Sequence, residues 1–170
     1  MVHRCVSQSL LAGLYTVVVT GFRADEVQAA IEDLHCDNLL VVHNPDYEQG
    51  QGNSTRCGAY HLNEKEDFFI SLSDMPLIEE RHYRFLAQHS TEQAARPSYK
   101  GRLGHPVLLS TTFLQIIRNQ TGPFTMRTLL APYPVQAIEV DDEAYILDID
   151  TLQDYQALLA SGQPPRNLPE

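Results

Sequence analysis

Positive charge is scarce in this 170-residue chain, with 12 Lys and Arg against 22 Asp and Glu and a formal net charge of −10. Nothing in that balance draws the surface toward nucleic acid or an anionic membrane. Cysteine is scarce too: Cys5, Cys36 and Cys57 are odd in number and lack C-x-x-C spacing. That argues against a disulfide framework and for a reducing, cytoplasmic location. Long apolar runs are missing. The start "SQSLLAGLYTVVVTG" is broken by Gly13, has no A-x-A cleavage pattern and is too short to span a bilayer. The chain shows no repeat, no low-complexity tract and no Ser-His-Asp or Cys-His constellation for covalent catalysis. His35, Cys36, Cys57 and His61 match no common zinc spacing.

What is present is alternation. "LYTVVVTG" and "NLLVVHN" are short aliphatic runs closed by Gly or Asn, the form of strands covered on both faces. Between them "RADEVQAAIEDLH" sets Val27, Ala30, Ile31 and Leu34 at helical spacing, with acids early, where the helix dipole favours them. A polar, glycine-rich stretch, "NPDYEQGQGNSTRCG", leads to the strand "DFFISLS" and the helix "PLIEERHYRFLAQH", with Pro76 just ahead of it. Right-handed crossovers of this kind build an open, three-layer α/β sheet, mostly parallel and Rossmann-like, with helices on both faces. Further on, "EQAARPSYKGRLG" reads as a basic loop and "HPVLLS" as a short apolar run. "TTFLQIIRN" reads as a helix, "PVQAIEV" and "AYILDID" as strands, and "TLQDYQALLASG" as a closing helix stopped by Gly162. The length suits one domain, 1–162, followed by a flexible proline-rich tail, 163–170.

Ligands of open α/β sheets bind where strands end at their carboxyl edge. Asp74 and Asp148 lie at two such ends. Taken alone, an Asp after a strand more often caps the following helix, a role worth ~1 kcal/mol. Two converging carboxylates would instead suit Mg²⁺, which takes one or two protein carboxylates and completes its octahedron with water and phosphates. The residues by themselves leave both open. His105 is likewise balanced between bonding a ligand oxygen and bracing the turn before Pro106. Gly50, Gly52 and Gly58 favour turn geometry over close ligand approach, and Arg81, His82 and Arg84 read as a solvated helix face.

Four stretches taken together, "NPDYEQGQGNSTRCG", "ISLSDMPLI", "GRLGHPVLLS" and "LDIDTLQDY", give the chain a resemblance to the MobA-like nucleotidyltransferases. Within that group it looks most like the molybdenum cofactor cytidylyltransferases. The resemblance runs from about Val2 to Leu158. It implies that Asn44, Pro45, Tyr47, Gly50 and Ser54 border the nucleotide and acceptor pocket. It makes Asp74 a metal-binding aspartate within Ser73-Asp74-Met75-Pro76, and it lines the acceptor side with Gly104, His105, Pro106, Val107 and Leu108. Of Asp148, Asp150 and Thr151, it favours Asp148 as the second metal carboxylate. Lys100 and Arg102, in the loop before Gly104, are placed to meet an anionic acceptor.

The resemblance also implies the chemistry. An oxygen of a phosphate-bearing acceptor, of molybdopterin type, attacks the α-phosphorus of an NTP, with CTP favoured, and pyrophosphate leaves. Mg²⁺ on Asp74 and Asp148 neutralises charge. The family's opening strand and glycine-rich loop, L-A-A-G-x-S-x-R-M-G, have no counterpart in this chain, and Met1 falls in the helix that follows them. Ser73 and Met75 replace the usual Gly and Gln beside Asp74. The alternative is therefore a degenerate, non-catalytic binding or assembly protein of the same fold. Without the central first strand two sheet edges stay unpaired, so self-association into a homo-oligomer is expected.

Overall fold

The computed structural model describes residues 1–149 together with 151, 153, 154 and 156. Asp150, the expected tail 163–170 and most of the expected closing helix lie outside the described residues. Helix α1, Val2–Leu11, leads into strand β1, Thr16–Thr20. β1 pairs in parallel with β2, Leu39–His43, in register from Thr16 opposite Leu39 to Thr20 opposite His43. Between them α2 covers only Ala24–Ala29 and is followed by a 3-10 turn, Glu32–Leu34. The longer helix expected here does not form. Of its four apolar positions only Ile31 is buried, so packing supports a short helix and little more.

The second sheet runs β3-β6-β4, with β5 and β7 also on β4. Its strands are β3 (Phe68–Ile70), β4 (Ala94–Tyr99), β5 (Arg102–Leu103), β6 (Val107–Leu109) and β7 (Gln136–Val140). β7 lies parallel to β4, whereas β6 runs antiparallel to both β3 and β4. The sheet is thus mixed, less parallel than expected, and the cause is local. "EQAARPSYKGRLG" is no loop: β4 and β5 form a hairpin closed by Lys100 and Gly101, whose φ angles of 50° and 79° suit a tight two-residue turn. The chain then returns as β6 in the opposite sense.

Helices cover both faces: α3 (Gln51–Ala59), α4 (Glu80–His89), α5 (Thr112–Arg118) and α6 (Met126–Leu130). β6 is buried along its whole length and divides the core between two clusters. Val107 and Leu109 join Phe113, Leu114, Ile117 and Leu130 on one face. Leu108 joins Met75, Ile78, Tyr83, Leu86 and Ile138 on the other. β3 divides in the same way, with Phe68 and Ile70 on the first cluster and Phe69 on the second. Phe69 and Ile70 are half-buried, however, so β3 is less enclosed than its sequence suggests.

Two further expectations change. The glycine-rich stretch after β2 is mostly helix α3. Gly50 does serve a turn, at φ 98° just ahead of the helix. Gly52 and Gly58 instead allow close approach: a Cβ on Gly52 would lie 2.8 Å from Phe124 Cδ1, and one on Gly58 would lie 3.0 Å from Val19 Cγ2. "AYILDID" is not a strand but a 3-10 turn, Glu143–Tyr145, followed by irregular chain to Ile149. Asp142 caps that turn, its Oδ1 accepting the Ala144 N–H at 3.0 Å.

Candidate functional site

Strand β3 delivers the chain to Asp74, and buried Met75 and Ile78 anchor the stretch behind it. α4 begins only at Glu80, so Pro76 is not its first residue and Asp74 does not cap it. The cap is Glu79, in a capping box where His82 Nδ1 accepts the Glu79 N–H at 2.9 Å. The first turn of α1 braces the same stretch: Arg4 Nε donates to the Pro76 carbonyl at 2.6 Å, and Cys5 Sγ to that of Ser73 at 3.4 Å. Burial, reinforced by the charge of nearby Asp74, pushes the Cys5 thiol up to about 11.

The Asp74 carbonyl accepts the Ile149 N–H at 2.8 Å. That bond sets the stretch bearing Asp148 against the one bearing Asp74. Asp74 is half-buried and Asp148 is exposed. The same crossing segment passes over the start of β6. His105 N–H donates to the Tyr145 carbonyl at 2.9 Å. A Cβ on Gly104 would sit 2.8 Å from the Tyr145 carbonyl carbon and closer still to its oxygen, so only glycine fits under the crossing. Arg96, which sequence reasoning passed over, donates from both Nε and Nη2 to the Gly104 carbonyl at 3.1 Å. The His105 ring lies 3.5 Å through Nδ1 from the Ile70 carbonyl, and burial followed by the Arg96 charge lowers its pKa. Of its two expected roles, the bracing one is formed here.

The other expected residues stand in two places. Asn44, at the end of β2, is 3% exposed and committed to its own loop. Its Nδ2 donates to Ser54 Oγ at 3.1 Å, and its Oδ1 accepts the Asp46 N–H at 3.1 Å. With Gly50 at the entry to α3, these residues form a small framework that fixes the loop between β2 and α3. Lys100 sits at the exposed tip of the β4–β5 hairpin, its ammonium 4.8 Å from the centre of the Tyr99 ring. Tyr99, and after it Glu143, hold that ammonium above the usual lysine value. Tyr99 and Glu143 are thus neighbours of Lys100. His82 also departs from expectation: at 3% exposure it is no part of a solvated face, while Arg81 and Arg84 are exposed. A hollow of about 640 Å³ lies between α4 and the end of β7, lined by Arg81, His82, Phe85, Glu139, Asp142 and Tyr145 among others, and holds none of the expected site residues.

The fold is shared with solved structures that include a nucleotidyl transferase. It superimposes on Rv0371c from Mycobacterium tuberculosis H37Rv with a TM-score of 0.78 over 92% of this chain and 81% of that one, at 24% identity. It also superimposes on a nucleotidyl transferase from Methanothermobacter thermautotroptrophicus with a TM-score of 0.75, covering 94% and 79% of the two chains at 18% identity. A structure of Rv0371c in complex with manganese gives a TM-score of 0.74 over 92% and 84% at 22% identity. Sequence then narrows the assignment. Residues 1–138 match the MobA-like NTP transferase domain. The molybdenum cofactor cytidylyltransferase of Escherichia coli K12 is 30% identical over 139 residues, which cover 82% of this chain and 71% of that protein. The chain belongs to the MobA-like NTP transferase family. It is a nucleotidyltransferase.

Proposed function

We propose that the chain transfers a cytidylyl group from CTP to a phosphate-bearing acceptor of molybdopterin type, with Mg²⁺ held by Asp74 and Asp148. The single observation behind the site is the Ile149-to-Asp74 hydrogen bond, which joins two carboxylate-bearing stretches far apart in sequence. The similarity to a molybdenum cofactor cytidylyltransferase supports the choice of base and acceptor. Two hard carboxylates suit Mg²⁺. Among the described residues no group of three or more His, Cys, Asp and Glu gathers around one point, so water and substrate phosphates would complete its shell. When bound, the ion would supply charge neutralisation at the phosphates.

The acceptor oxygen attacks the α-phosphorus in line, the bond to the bridging oxygen breaks, and pyrophosphate leaves. Both partners are anionic, so the protein's task is to position them and to leave its carboxylates where cations gather. Gly104 keeps the start of β6 low beneath the crossing segment, and Asn44 with Ser54 holds the loop between β2 and α3 in one shape.

The test is isothermal titration with CTP and with GTP, each with Mg²⁺, followed by pyrophosphate release with a molybdopterin acceptor. CTP should bind and turn over. Asp74→Asn and Asp148→Asn should each lower turnover roughly a hundredfold, as expected when several kcal/mol of charge stabilisation is lost. A folded chain that binds neither nucleotide overturns the proposal, and one that binds only the acceptor is a carrier of the same fold.

A further inference from the structure

The segment Asp142–Ile149 is irregular over most of its length, yet it is pinned at three points. Ile149 is held by Asp74, Tyr145 by His105, and the segment's start by α4. Asp142 Oδ2 lies 2.8 Å from Arg81 Nη2 and 3.1 Å from His82 Nε2. Tyr145 follows, its ring 4.7 Å from the His82 ring and its hydroxyl 3.4 Å from the His82 carbonyl. We propose that Asp142, latched by His82 and Arg81, is a positioning residue that holds Asp148 against Asp74, an inference that rests on those two carboxylates serving the reaction above.

The hydrogen-bond network assigns the tautomer. His82 Nδ1 accepts the Glu79 N–H, so the ring hydrogen is on Nε2 and donates to Asp142. A second proton would have to enter at Nδ1, facing a donor. Protonation therefore breaks the α4 cap that orients the ring toward Asp142. The charged and titratable groups facing His82 are Glu79 and Arg81 from α4 and its cap, and Asp142 and Tyr145 from beyond β7; Arg4 of α1 reaches Glu79 at 3.2 Å. Burial first, and then Arg81, lower the His82 pKa from its usual 6.5 against the pull of Asp142. Burial alone would raise Asp142, but the Ala144 N–H, His82 and Arg81 together hold it below the usual carboxylate range. With the histidine pKa depressed by folding, its contribution is complete above about 6.5 and is lost as pH falls below that value.

Amide hydrogen exchange on the full chain tests the latch without relying on turnover. In Asp142→Ala, the Ile149 and His105 amides should lose at least about tenfold in protection, the loss that follows removal of a charge-assisted hydrogen bond. Amides of β1 should not change. His82→Gln keeps a donor toward Asp142 and should stay near the parent, whereas His82→Leu should resemble Asp142→Ala. Parent protection at Ile149, corrected for intrinsic exchange, should fall below pH 6.5 and be flat in Asp142→Ala. Unchanged Ile149 protection in Asp142→Ala overturns the proposal. Should His82→Leu fail to fold, Asp142→Asn and the pH profile decide in the same way. CTP turnover of the parent is measured separately, so its absence counts against the reaction while exchange still decides the latch.

Discussion

Strands β1 and β6 each carry three consecutive aliphatic residues and differ in what surrounds them. All three residues of β6 are buried, whereas of the five in β1 only Thr20 is, and Val17, Val18 and Val19 are half-exposed. β6 lies between two strands with apolar side chains above and below it. β1 has one strand partner among the described residues, and α3 meets it through Gly58 and a largely polar sequence. A helix that approaches through glycine comes close but covers little apolar area. Hydrophobic sequence therefore marks a strand without fixing how deeply it is buried.

The contrast can be broken by mutation. The largest effect is expected from Phe113→Ala, which removes a side chain 1% exposed and should cost about 4 kcal/mol in urea unfolding. Next comes Gly104→Ala. Its methyl would press on the Tyr145 backbone and should cost about 2 kcal/mol, with loss of protection at the His105 amide as the local sign. The smallest belongs to the other sheet: Val18→Ala should cost about 0.8 kcal/mol or less, since its two methyls are only half removed from water. Equal costs for Phe113→Ala and Val18→Ala would show that the two regions are packed alike.

The parts visible in the sequence are those where local pattern and final packing agree. β1, β2, β3, β7, α4 and α5 follow from aliphatic runs and helical spacing. α3 was hidden because its glycines, usual signs of a turn, are there for close approach to Phe124 and Val19. The β4–β5 hairpin was hidden by Arg96 and Pro97, which look wrong for a central strand. Pro97 is accepted because its carbonyl, not a missing N–H, makes the bond to Gly104 N at 2.8 Å. "AYILDID" misled in the opposite direction, since its apolar residues turn inward from a 3-10 turn. At the site, no local signal joins Asp74 to Asp148; only the resemblance brought them together. That Asp74 does not cap α4 follows from Glu79, five residues away, and the importance of His82 and Asp142 depends on a contact across 60 residues.

Asp74 and Asp148 lie 74 residues apart, and the bond between their stretches is made by a segment that follows the last described strand. In synthesis the stretch bearing Asp74 is made 74 residues before Asp148. β7 must be synthesised and laid along β4 before Asp142 can reach α4 and Ile149 can reach Asp74. The stretches bearing Asp74 and Asp148 can be joined only once residue 149 has been made. Under the proposed function, cation affinity should therefore appear only once the chain through Ile149 has been made and folded.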